Sequence, residues 1–168
     1  MSRPAFRSIL RCGITVIVGL AAACGSGGDL GALGVADAST GWYTAGDIGL
    51  SSRFVPAVTF RLKNNGTASI DDVDLFLSFW PDGADGEKDS QQIAGVRAEP
   101  LAPGAETTPI AVRSTVGYNL AQPTPDLFSH SQFKDWTVRV FARRGGQTVR
   151  LGEFKIERRA VGDDVRPL

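Results

Sequence analysis

A chain of 168 residues, 42% of them hydrophobic and 21% charged, supplies one ordinary globular domain and excludes a long multidomain enzyme. Its 18 basic and 18 acidic residues cancel, so no charge excess draws nucleic acid or an anionic surface as partner. The balance is uneven along the chain. Residues 1–23 hold Arg3, Arg7 and Arg11 and no acid, which leaves 15 basic against 18 acidic side chains beyond them, a net charge of −3.

Those arginines precede an apolar run of ten residues, Ile14 to Ala23. A bilayer-spanning helix needs about 17–25 residues, so the run reads instead as the core of a signal peptide over residues 1–23. It ends in Leu20-Ala21-Ala22-Ala23-Cys24, followed by Gly25-Ser26-Gly27-Gly28. This segment resembles a bacterial lipobox, with the leucine one position early. The resemblance implies cleavage before Cys24, a diacylglycerol on its sulfur and acylation of the new amino group, which together anchor a protein more firmly than one chain can. The expected location is the bacterial cell envelope, with the membrane as partner through the lipid. Gly25, standing where some inner-membrane lipoproteins carry Asp, tilts the expectation toward the outer membrane.

Cys12 and Cys24 are the only cysteines. Cleavage removes the first and lipidates the second, so the mature domain is expected to have no disulfide and no thiol chemistry, and to rely on its apolar core. A single histidine cannot furnish the usual zinc ligand set, and no metal or other cofactor is expected.

Residues 24–34, Gly-rich and short-sided, read as the lipidated cysteine and a flexible tether. A domain over residues 35–160 follows, with 161–168 as a disordered tail. Val58 to Lys63 alternates, Val58, Phe60 and Leu62 against Thr59, Arg61 and Lys63, which predicts a half-buried strand. Asn64-Asn65-Gly66-Thr67 is a turn. It also matches a glycosylation sequon, for which the turn is explanation enough in a bacterial lipoprotein. Asp72 to Trp80 resumes the alternation with Val73, Leu75, Leu77 and Phe79 on one face. Gln91 to Arg97 is a weaker strand. Ala102-Pro103-Gly104 turns the chain before Thr107 to Thr115, where Ile110 and Val112 share a face. Trp136 to Arg143 alternates cleanly, and Arg144-Gly145-Gly146 makes a hairpin into a last strand, Gln147 to Arg159. There Val149 and Leu151 have one parity and Phe154 and Ile156 the other, so a bulge is expected near Gly152.

No segment carries a helical period. About seven short strands separated by turn signals predict an all-β fold, an antiparallel β-sandwich. The run Val58 to Gly66, then Val73 to Trp80 with Pro81-Asp82-Gly83, then Leu101 to Glu106 resembles the bacterial immunoglobulin-like domains of the FxLYD and CARDB kind. The resemblance covers about residues 56–113 and implies an immunoglobulin-like sandwich. It carries no chemistry, and the chain departs from it after Thr115, where a long insertion, Gly117 to Asp135, begins.

Four acids in Asp82 to Asp89 invite a calcium hypothesis through the spacing of Asp85, Glu87 and Asp89. Ser90 stands where a glycine belongs, no bidentate glutamate follows, and Lys88 intrudes, so a solvated acidic loop is the better reading. His130 with Asp126 suggests a hydrolase triad. Triad members converge from separate elements and no nucleophile elbow is present, so a loop histidine bonded to a hydroxyl or water is expected and no catalysis. Trp42 and Tyr43 adjoin and, if extended, face opposite sides, one into the core and the other as a lid or contact residue.

The most informative feature is the face opposite the core. If the 72–80 and 136–143 strands are neighbours in one sheet, Phe76, Trp80, Arg139, Phe141 and Arg143 share its outer surface, with Ser78 and Thr137 among them. Aromatic and arginine side chains together are what interfaces favour. Either an envelope protein partner covers this patch, or the insertion does with Tyr118, Leu120, Leu127, Phe128 and Phe133. The function expected is a membrane-tethered, non-catalytic protein-binding or scaffolding module. A small-ligand or glycan-binding accessory lipoprotein using the aromatic insertion, and a hydrolase around His130, are the alternatives.

Overall fold

The computed structural model describes residues 28–48, 50–121 and 126–162. The expected signal peptide, Cys24, residues 25–27 of the expected tether and most of the expected tail therefore lie outside the described residues. Nine strands form two sheets, and the only helical pieces among the described residues are two 3-10 turns, Leu30–Ala32 and Leu127–Ser129. The fold is all-β and sandwich-like.

The first sheet holds β1 (Leu33–Ile48), β2 (Ser51–Asn64), β5 (Ile110–Arg113), β6 (Tyr118–Ala121) and β9 (Ala160–Val161), in the order β5-β2-β1-β9 with β6 also on β2. The second holds β3 (Val73–Pro81), β4 (Asp89–Val96), β7 (Trp136–Arg144) and β8 (Gln147–Lys155), in the order β4-β3-β7-β8. Alternation decides what lies between them. Val58, Phe60 and Leu62 of β2, Val73, Leu75, Leu77 and Phe79 of β3, and Trp136, Val138, Val140 and Ala142 of β7 are all buried in one core cluster. At about 25 cal/mol per Å² of apolar surface removed from water, this is the main term favouring the fold.

Three boundaries differ from the sequence expectation. Residues 28–34 are not tether. The Gly28 N–H donates to the Ser69 carbonyl (2.8 Å), and Leu30 and Leu33 are buried in the core, because two leucines so placed gain more from packing than from solvent. The long β1 carries no continuous alternation, so the sequence predicts no strand there. Finally, the last strand does not run to Arg159. After Lys155, Ile156 tucks into the core and its N–H donates to the Trp136 carbonyl (2.8 Å). The chain then crosses to the other sheet, where Ala160 and Val161 pair in parallel with Trp42 and Tyr43. This close approach requires glycine at 41, since a Cβ there would lie 2.4 Å from Val161 Cγ1. Pairing thus runs just past residue 160.

The two sheets are tied at both sides. On one side, buried Thr40 of β1 donates to the Lys155 carbonyl (2.8 Å) and accepts from the Glu157 N–H (3.1 Å). On the other, Asp89 at the start of β4 accepts from Ser114 Oγ (2.7 Å) and the Thr115 N–H (2.7 Å), just beyond β5. At the end where the chain enters, fully buried Asn64 donates from Nδ2 to the Ala68 (2.9 Å) and Leu101 (2.8 Å) carbonyls and accepts at Oδ1 from the Gly66 N–H (2.9 Å). The 64–67 turn is therefore held by its own first residue.

The expected bulge is present. Val140 pairs with Gly152 but Phe141 pairs with Arg150, which leaves Leu151 as the extra residue. Val149 and Phe154, opposite the inward Ala142 and Val138, both pack against the core.

Candidate functional site

β3 and β7 are antiparallel neighbours, with Phe76 directly opposite Phe141, Ser78 opposite Arg139, Trp80 opposite Thr137 and Asp74 opposite Arg143. These positions alternate with the buried ones, so Phe76, Trp80, Arg139, Phe141 and Arg143 lie together on the outer face of the second sheet. Neither Phe76 nor Phe141 belongs to the core cluster.

The side chains on this face are ordered by one another. The Trp80 indole N–H donates to buried Ser78 Oγ (2.9 Å), which lays the ring along its own strand. The Arg139 guanidinium carbon stands 4.3 Å from the Trp80 ring centre, and the Arg143 guanidinium carbon 5.7 Å from that of Phe76. Arginine over an aromatic face gains electrostatic attraction and covers apolar surface with its stem. Because of the bulge, Arg150 stands opposite Phe141 and Glu153 opposite Arg139. Glu153 Oε2 accepts from Arg139 Nε (2.8 Å) and also from Arg150. Alternation within β3 and β7 alone does not bring Arg150 and Glu153 to this face. Carrying the bulge through the pairing register of β7 and β8 is the step that brings them in.

The insertion goes elsewhere. Trp42 is fully buried, and its ring centre lies 5.5 Å from Tyr118, 5.2 Å from Phe133 and 6.2 Å from Trp136. Phe128 packs edge-on to Phe133 at 5.5 Å, Tyr118 Oη accepts from the Lys134 N–H (3.0 Å), and Leu120 and Leu127 are buried in the core. The described part of the insertion therefore closes one end of the sandwich around Trp42. The indole N–H groups of Trp42 and Trp136 meet no acceptor among the described residues. Tyr43, facing away from Trp42, is half-buried with Arg113 4.8 Å above its ring.

His130 is exposed, and its Nδ1 accepts from the Gln132 N–H (3.2 Å). Asp126 caps the 127–129 turn, accepting from the Phe128 N–H (3.0 Å) and Ser129 Oγ (2.8 Å), and no hydrogen bond joins it to His130 among the described residues. In the acidic loop, Asp89 is occupied with Ser114, Thr115 and Gln91. Burial pushes its carboxyl up, but hydrogen bonds from those three residues outweigh it and hold the group below the usual carboxylate range. No cluster of three potential metal ligands occurs among the described residues.

A crevice of about 200 Å³ on the first sheet is lined by Ser39, Thr40, Gly41, Thr59, Arg159 and Val161 among others. Its arginine is taken up by Glu157 and Ser39, and Thr40 by the sheet-to-sheet tie.

The outer face of the second sheet is thus the place where half-buried aromatic rings and arginine side chains lie together. No family model matches the chain, and no curated protein matches it by sequence.

Proposed function

We propose that this chain is a membrane-tethered, non-catalytic binding module of the bacterial envelope, anchored through Cys24 and docking a protein partner on the outer face of the β4-β3-β7-β8 sheet. The observation that carries the reading is the pairing of Phe76 with Phe141 on an outward face, flanked by the Arg139–Trp80 and Arg143–Phe76 stacks. Aromatic and arginine anchors held in place before binding lose little side-chain entropy when a partner arrives.

The strand order supports an immunoglobulin-like reading. β5-β2-β1 facing β3-β7-β8 matches the A-B-E and C-F-G strands of that fold, with β4 lying beside β3 rather than beside β5. The entry point supports a short anchor. Only Gly25, Ser26 and Gly27 separate Cys24 from Gly28, whose N–H is already bonded into the fold. At about 3.3–3.6 Å per extended residue, that spacing holds the turn end of the sandwich within about 14 Å of the anchor. The insertion's aromatics pack on Trp42, which favours a protein partner on the sheet face over a small ligand or glycan in the insertion.

The test is site-directed photo-crosslinking in native membranes, with a benzoylphenylalanine at position 141 and, as control, at exposed position 119 on the opposite sheet. The reading expects one discrete adduct from position 141 and none from 119. Absence of an adduct from 141, or equal labelling from both, overturns it.

A further inference from the structure

We infer that the polypeptide docking on this face is acidic, its carboxylates meeting Arg143 and Arg150 while its apolar side chains cover Phe76 and Phe141. The inference rests on the docking reading and adds the partner's chemistry. Across β3, β7 and β8 the outward positions hold Arg139, Arg143, Arg150 and Lys155 against Asp74 and Glu153. Asp74, although directly opposite Arg143, accepts from Arg97, and Lys155 pairs with Asp135 (3.3 Å). For three guanidinium groups one carboxylate therefore remains on this face, Glu153, and it bonds Arg139 and Arg150 but not Arg143. Arg143 is exposed and has no ion pair among the described residues. Its side chain reaches only as far as a long bond from Nε to the Gly145 carbonyl (3.5 Å).

This local positive excess runs against the chain's own sign, since residues 24–168 carry a net charge of −3. A planar guanidinium matches a carboxylate in a two-pronged pair, and neighbouring rings that exclude water strengthen the attraction. The rings also choose among anionic partners. Phe76, Phe141 and Trp80 are half-buried on this face and need an apolar complement interleaved with the acids, which a polypeptide supplies and a bare phosphate surface does not.

The experiment uses the full chain in detergent and a fluorescent peptide of alternating Asp and Tyr, with a matched peptide carrying Lys for Asp and, separately, phosphatidylglycerol vesicles. The acidic peptide should bind at least tenfold more tightly than the lysine peptide and weaken as salt is raised. Arg143→Glu and Arg150→Glu should each lower its affinity at least tenfold, while Asn119→Glu, at an exposed position of β6 on the other sheet, leaves it unchanged. Equal binding of the two peptides, or affinity that survives both arginine reversals, overturns the inference. So does Arg143-dependent binding of the vesicles in place of the peptide. If position 141 still crosslinks a partner whose capture tolerates Arg143→Glu, docking on this face stands and its acidic selectivity falls. If position 141 captures nothing, the docking reading itself falls.

Discussion

A Cβ atom on Gly152 would lie 2.7 Å from Cζ of Phe154. The glycine is the residue that lets the chain fold back over its own bulge, so that Phe154 reaches the core from a strand whose parity has just changed. Gly152→Ala should push the ring outward and cost about 1–2 kcal/mol. Urea unfolding checks this through a lower midpoint with an unchanged slope, and an unchanged midpoint would mean that the ring moves aside freely.

Asn64 is the polar residue on which one end of the sandwich depends. Asn64→Ala leaves the Ala68 and Leu101 carbonyls and the Gly66 N–H without these partners. Since a buried group left unsatisfied costs about 1–3 kcal/mol, a loss of about 2–4 kcal/mol is expected. Asn64→Asp should do no better, because a carboxylate cannot donate to the two carbonyls. Thermal denaturation of the two variants side by side tests the point.

Asp89 gives the tie between sheets a pH dependence. Its pKa in the fold lies below the ordinary value, so the unfolded chain binds the proton first. The stabilisation is therefore complete above the unfolded pKa of about 3.9 and is lost as pH falls through the lower folded value. The stability gap between the wild type and Asp89→Asn should be open at neutral pH and close in acid. A gap that stays constant or widens on acidification would contradict this assignment.

Phe133 holds the insertion to Trp42, and it also packs against Tyr118, Phe128 and Arg158. Phe133→Ala should cost about 2–4 kcal/mol, somewhat less than a fully buried phenylalanine because the ring is half-exposed. Hydrogen exchange should then speed up in β6 while β3 and β7 keep their protection. Uniform loss of protection would mean that the insertion is part of the main cooperative unit.

How much of this was legible in the sequence depends on parity. β3 and β7 alternate without interruption, so their inner and outer faces could be assigned residue by residue. β1 could not be found that way. Its pairing with β2 shifts between Ala36 and Ser39 and again between Thr44 and Asp47, with Asp37 and Gly46 in positive-φ conformations, so no single alternation runs through it. Trp42 was legible only as one of two aromatics on opposite sides. β9 is two residues long and exists because the chain after Ile156 changes sheets, a long-range event with no local signal. The outer-face rings followed from alternation alone, whereas Arg150 and Glu153 required the bulge to be counted into the register.

Phe141 separates surface from core. Phe141→Ala should cost only about 1–2 kcal/mol, against about 3–5 kcal/mol for fully buried Phe79→Ala on the adjacent strand. Equal losses would place Phe141 in the core and remove it from any docking surface.

The central claim, that the outer face of β3 and β7 is covered by a partner in the envelope, is tested most directly by hydroxyl-radical footprinting of the protein in its own membranes and after purification in detergent. Trp80, Phe76 and Phe141 should be modified several-fold more slowly in the membranes than in detergent, with Tyr43 on the other sheet equally reactive in both. Equal modification of all four residues in the two preparations would contradict the account.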